Sequence, residues 1–183
     1  MKTLVFLLEE KSSKAMLEVV LPKIIPSGVV YRLISFEGKS DLENNLVRKI
    51  RGWRAPDSFF VVMRDQDSGN CREIKQRLVQ KCTEAGRDDT LVRIACHELE
   101  SFYLGDLNAV EQAYGITLPS QKSRKYRTPD DLANAKEELE KITRGEYQKI
   151  DGSRRIAEHL DLNGENRSKS FNALISGIKR QCS

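Results

Sequence analysis

The chain has 183 residues, 39% of them hydrophobic and 32% charged, with a formal net charge of +4. That length suits one domain, or one domain with an appendage, and the composition is that of a soluble protein rather than a disordered or fibrous one. No run approaches the roughly 18 apolar residues of a membrane span. The charge is unevenly placed. Residues 1–114 carry 17 Lys/Arg against 17 Asp/Glu, and residues 115–183 carry 14 against 10. The whole excess therefore lies in the second part, a bias that permits a polyanionic partner without requiring one.

In chain order, residues 3–9 form an apolar run ending in Glu9-Glu10. The run is too short for a signal peptide and lacks a small-residue cleavage site, so it reads as a first strand. Ser12 or Ser13 can cap the helix that follows, with Ala15, Met16, Leu17, Val20 and Leu21 on its apolar face. Pro22 should kink or shorten it. Val29 to Phe36 reads as a second strand and residues 42–53 as a second helix. Phe59-Phe60-Val61-Val62-Met63 is continuously apolar, the signature of a parallel strand buried on both faces. A helix over 71–85, a strand from Thr90 to Cys96 and a helix over about 98–114 complete a βαβαβαβ pattern with a final helix. Right-handed crossovers make such a sheet largely parallel. From Gly115 the texture changes to a polar loop, then helical segments at about 129–143, 153–161 and 168–180, with Ser153 and Ser168 as caps. The expected architecture is an α/β domain over 1–114 with about four mostly parallel strands. A basic loop and helical extension over 115–183 packs on it.

The central strand runs straight into Arg64-Asp65-Gln66-Asp67. Its C-terminal end is the rim where open α/β sheets bind ligands. Two carboxylates there need positive charge, and Mg²⁺ (or Mn²⁺) accepts one or two carboxylates with water and phosphate oxygens. Glu9, or Glu10, ends the first strand on the same edge, so three carboxylates could converge for metal-assisted phosphoryl transfer. Taken alone, the D-x-D could instead serve the next helix, with Asp67 or Asn70 as its cap. Glu98 and Glu100 fall near a helix start, favoured there by the dipole, and one of them could also face the rim. The loop residues Lys122, Arg124, Lys125 and Arg127 surround Tyr126 and could hold a nucleic-acid backbone, with Tyr126 free to stack.

Other chemistries find no footing. There is no P-loop, no G-x-G-x-x-G and no G-x-S-x-G. The four cysteines lack C-x-x-C spacing and the only histidines are His97 and His159. Reduced thiols in a cytoplasmic protein are expected rather than disulfides or zinc.

Three blocks carry a resemblance: L-L-E-E-K-S-S-K at 7–14, V-V-M-R-D-Q-D at 61–67 and R-I-A-C-H-E-L-E-S-F-Y-L-G-D at 93–106. With N-R-S-K-S-F-N-A at 166–173, their order resembles a bacterial Toprim-like family of unknown function. That resemblance implies a Toprim fold, with Glu9 as acid/base and Asp65 and Asp67 as Mg²⁺ ligands. It further implies a nuclease subunit in an anti-phage defence module, encoded beside an AAA-type ATPase as partner. Glu10 stands where the family has glycine, and Ser12-Ser13 where it has a Ser/Thr-Glu pair. The rival expectation is a non-catalytic sensor or adaptor subunit binding such an ATPase, its rim filled by salt bridges from Arg64 or Arg93. A third is a plain nucleic-acid-binding module.

Overall fold

The structure, a computed structural model, describes residues 2–118 and 123–182. The strands are β1 (Thr3–Leu8), β2 (Val30–Ser35), β3 (Ser58–Asp65) and β4 (Leu91–Ala95). They form one parallel sheet in the order β2-β1-β3-β4, with Leu8 opposite Ser35 and Met63, and Asp65 opposite Ala95. The helices are α1 (Lys11–Ile24), α2 (Lys39–Arg51), α3 (Cys71–Glu84), α4 (Ser101–Leu104), α5 (Leu107–Tyr114), α6 (Ala135–Ile142), α7 (Lys149–Ala157) and α8 (Lys169–Cys182). The expected α/β fold, with parallel strands flanked by helices and a helical C-terminal part, is what the chain adopts.

Strand alternation divides the interior into two layers. Leu4, Phe6, Leu8, Val61 and Met63 face one side, against α1 and the C-terminal helices. Val5, Leu7, Phe60 and Val62 face the other, against Leu42, Leu46 and Ile50 of α2 and Ile74 and Leu78 of α3. The unbroken apolar run of β3 is explained by this double burial. The larger layer exists because the C-terminal helices fold back on the sheet. α7 packs along α1, and α8 packs beside β4.

α1 contains Pro22 and ends two residues later, at Ile24. Other boundaries depart from expectation. The helix expected over 98–114 breaks at Gly105-Asp106, where Asp106 Oδ1 accepts the Ala109 N–H at 3.1 Å and restarts the chain as α5. Gly105 is required there. A Cβ would collide with Asn166 Oδ1 and Ser168 N, and the Arg167 N–H donates to the Gly105 carbonyl at 2.9 Å. The segment expected as a helix over 129–143 is a 3-10 turn at Pro129–Asp131 followed by α6. α7 starts before Ser153, whose hydroxyl donates to the Lys149 carbonyl inside the helix instead of capping it. Ser168 does cap: its Oγ accepts the Phe171 N–H at 3.1 Å.

Candidate functional site: a split acidic rim

The C-terminal ends of β1, β3 and β4 bring Glu9, Asp65 and the 96–100 turn together. Each carboxylate is placed by backbone. Glu9 follows β1, and its Oε2 accepts the Asp65 N–H at 2.9 Å. Asp65 is the last residue of β3, 6% exposed, and its Oδ2 accepts the Leu99 N–H at 3.1 Å. Its Oδ1 is buried with no hydrogen-bond partner. A buried polar atom left unpaired costs about 1–3 kcal/mol, so it marks a place where something else belongs.

The surroundings of Asp65 are acidic. Burial pushes its carboxyl well above the usual range, and Glu10, Glu9 and Glu100 push it further. Burial likewise raises Glu9, opposed by the Asp65 N–H and by Arg64. Glu100 is buried and raised by desolvation, with Oε1 accepting the Tyr147 hydroxyl at 2.8 Å. Glu10 accepts from Ser12 Oγ at 2.6 Å and pairs with Lys149 Nζ at 2.7 Å. Tyr103, at the same end of the fold, is fully buried; burial pushes its pKa well up, and Glu100, Asp65 and Glu10 push it further.

Asp67 belongs to a different environment. Gln66 ends the ladder by donating to the Ala95 carbonyl. Asp67 then takes φ 54°, a left-handed conformation uncommon for a non-glycine residue. That turn carries its carboxylate to the α2–α3 side. There Lys39 Nζ lies 2.8 Å from Oδ2 and Arg64 Nη2 lies 3.6 Å from it. Arg64 is 4% exposed and also meets Glu43 at 2.5 Å and Glu9 at 3.9 Å. Arg77 adds a second cation to Glu43 at 3.2 Å. Lys39, Glu43, Arg64, Asp67 and Arg77 line a cleft of about 450 Å³ between α2 and α3. Asn70 caps α3 by accepting from Arg72 N and Glu73 N, so the cap is Asn70 and not Asp67.

The other expected site residues are distributed as follows. Glu98 Oε2 accepts the Lys136 N–H at 2.8 Å and so fixes the start of α6. Glu100 lies in the acidic pocket beneath the rim. His97 takes φ 56° and accepts the Asp67 N–H at 2.7 Å through its carbonyl, a turn-forming role. Lys122 falls outside the described residues. Arg124, Lys125 and Arg127 are exposed, and Lys125 pairs with Glu138. Tyr126 corrects an expectation. It is 1% exposed, with its hydroxyl donating to Glu138, because Leu139 and the neighbouring core give it a buried place; it is not free to stack on a base. Lys149, Tyr147, Lys39 and Glu43 were not singled out in the sequence. The one signal for Lys149 is a cation at the first position of a helix, where the dipole disfavours it.

Among the described residues, no group of three or more His, Cys, Asp or Glu side chains is arranged to hold a metal ion. A smaller set has the donor chemistry of such a site. Glu9 and Asp65 offer hard oxygen ligands, and the unpartnered Asp65 Oδ1 is a donor in an acidic pocket. Mg²⁺ commonly takes one or two carboxylates and keeps several waters. Asp67 is engaged by Lys39 and Arg64 instead.

The fold and this rim define a class: a parallel α/β protein with an undercompensated carboxylate pocket at the C-terminal edge of its central strands. Residues 8–179 match the family described as Domain of unknown function (DUF4276), and the chain belongs to that family. No curated protein and no solved structure matches it. Among the described residues, no helix is long and apolar enough to cross a membrane.

Proposed function

We propose that the chain is a Toprim-like, Mg²⁺-dependent phosphodiesterase: a nuclease subunit of a bacterial anti-phage defence module, acting on DNA or RNA. The observation that carries this reading is the buried Glu9–Asp65 pair with Asp65 Oδ1 unpartnered among further carboxylates. A soluble fold gains nothing in stability from such an arrangement. Perturbed carboxyls of this kind concentrate at functional sites. The order of the Glu9, D-x-D and R-I-A-C-H-E-L-E blocks supports it by resemblance.

In this reading Glu9 and Asp65 would hold Mg²⁺, which when bound supplies charge neutralisation at a phosphate and a more acidic water. The remaining roles fall to the chain. The Asp65 N–H fixes the Glu9 carboxylate in orientation. Burial raises the Glu9 carboxyl, opposed by the Asp65 N–H and Arg64, the direction that favours its taking a proton. Arg64 Nε lies 3.9 Å from Glu9 Oε2 and offsets part of the carboxylate's charge. The exposed Arg124 and Arg127 are available to phosphates along the strand.

A second reading, a non-catalytic sensor or adaptor for an AAA-type ATPase, draws on one observation. Arg64 and Lys39 already neutralise Asp67, as expected of a rim kept for structure. The test is cleavage of a mixed DNA and RNA panel with Mg²⁺ or Mn²⁺ against EDTA, with and without the neighbouring ATPase. Wild type is compared with Glu9→Gln and Asp65→Asn. Metal-dependent cutting lost in both variants establishes the nuclease. Absence of cutting under every condition, with all three proteins folded, favours the adaptor.

A further inference from the structure

The acidic pocket contains one cation that the proposed function does not use. Lys149 is the first residue of α7, and its ammonium lies 2.7 Å from Glu10 Oε2. Glu10, Glu100 and Asp65 all act on it electrostatically, outweighing its partial burial. The position opposes the helix dipole, which favours an acidic residue in the first turn. Something other than helix stability therefore places a lysine there. The preceding Tyr147 donates to Glu100 at 2.8 Å, so one short segment delivers a hydroxyl and an ammonium to two pocket carboxylates. Gly152 keeps that segment in place, since a Cβ on it would strike the Tyr147 ring.

We infer that Lys149 is a built-in counter-cation of the pocket, competing electrostatically with a divalent ion for the Glu9–Asp65 site. This rests on reading that pair as a cation site. In the state described here the ammonium supplies part of the positive charge that the pocket carboxylates demand, through Glu10. A second cation arriving at Glu9 and Asp65 meets repulsion unless Lys149 withdraws from Glu10. Withdrawal is feasible because the ammonium is on the solvent side of the pocket, with part of its side chain exposed. Metal occupancy is thereby coupled to the start of α7, a helix contributed by the C-terminal part of the chain.

The rest of α7 is anchored independently of Lys149. Lys23 Nζ donates to the carbonyls of Ala157 and Glu158 at 3.2 and 2.7 Å. Arg154 pairs with Glu18 at 3.2 Å, and Ile156 and Ala157 are buried. A Lys149 variant should therefore keep the fold.

The experiment is Mn²⁺ binding to the full chain, followed by the electron paramagnetic resonance signal of free Mn²⁺. It compares wild type, Lys149→Met, Lys149→Arg and Asp65→Asn. Removing one unit charge several ångströms from the ion should tighten binding about three- to ten-fold in Lys149→Met. Lys149→Arg keeps the charge and should stay within about two-fold of wild type, and Asp65→Asn should lose binding. Binding by Lys149→Met where wild type shows none also supports the inference. If wild type binds Mn²⁺ and Lys149→Met binds equally or more weakly, the inference is overturned while the metal reading stands; a lysine that only held the fold together would give that result. If neither wild type nor Lys149→Met binds, the metal reading fails and the inference falls with it.

Discussion

Asp65 and Asp67 are two residues apart and electrostatically opposite. Asp65 is buried among Glu9, Glu10 and Glu100, with one oxygen unpartnered. Asp67 is half-exposed between Lys39 and Arg64. Asp65 shares by strand alternation the face of Val61 and Met63, whereas Asp67, past the end of β3, meets Lys39 of α2. The difference teaches that a D-x-D motif is not by itself a metal site. One half is left short of positive charge, which is costly and so points to function. The other is satisfied, as a structural ion pair is.

The sharpest way to break this comparison is kinetic. Glu9→Gln and Asp65→Asn should each lower metal-dependent cleavage by about 10³-fold or more, as expected for groups that meet the reacting centre. Asp67→Asn should cost less than about ten-fold. An Asp67→Asn loss as deep as that of Asp65→Asn, measured on the same substrate, would mean that both sides act as one site during turnover.

Stability separates the two sides next. Arg64→Ala removes the buried cation shared by Glu43, Asp67 and Glu9, while Arg77 and Lys39 remain on Glu43 and Asp67, so the change should cost about 1.5–3 kcal/mol, as for a lost hydrogen bond to a charged group. Urea unfolding should show a loss in that range. A loss below about 1 kcal/mol would show that the α2–α3 cleft does not depend on its ion pairs.

Asp65→Asn should act in the opposite direction. Asn keeps an acceptor for the Leu99 N–H and removes the buried charge, so the variant should be more stable than wild type at neutral pH, by about 1–2 kcal/mol. The folded state holds the Asp65 proton more tightly than the unfolded chain does. Protonation therefore adds stability to wild type as pH falls through the raised value, and the gain is complete below the ordinary carboxyl range near about 4. The advantage of Asp65→Asn should shrink as melting is followed from neutral pH toward that range. An advantage that stays constant with pH would show that Asp65 is not carrying a proton in the fold.

The smallest effect concerns the exposed basic loop. Arg124→Ala and Arg127→Ala, if these side chains meet phosphates, should each lower the salt slope of nucleic-acid binding by about one unit and leave folding untouched. Lys125→Ala should change the slope less, because Lys125 is already paired with Glu138.

Much of the fold was legible because its signals are local. The apolar run of β3, the caps at Asn70 and Ser168, and the alternation of strands and helices all come from short-range chemistry. The most specific sequence blocks were legible as blocks but not as to purpose. The F-Y-L-G-D stretch at 102–106 and the N-R-S-K-S stretch at 166–170 meet each other, through Asn166 to the Phe102 carbonyl and Arg167 to that of Gly105. Their pairing is a packing requirement across some sixty residues of chain, which no local pattern records.

The sequence by itself determined that the sheet is largely parallel, that its central strand is buried on both faces, and that Glu9 and Asp65 lie on one edge of it. Strand–helix alternation and the unbroken apolar run suffice for that, while the pairing of β1 with β3 came from the structure. Only the tertiary structure decided which carboxylates share a pocket. Asp67, at a positive φ past the strand end, meets Lys39 and Arg64 instead of joining Asp65. A helix from the far end of the chain supplied Lys149 to the acids that Asp65 faces. Charge compensation in a buried site depends on separations of a few ångströms in space, and separation along the chain does not fix them.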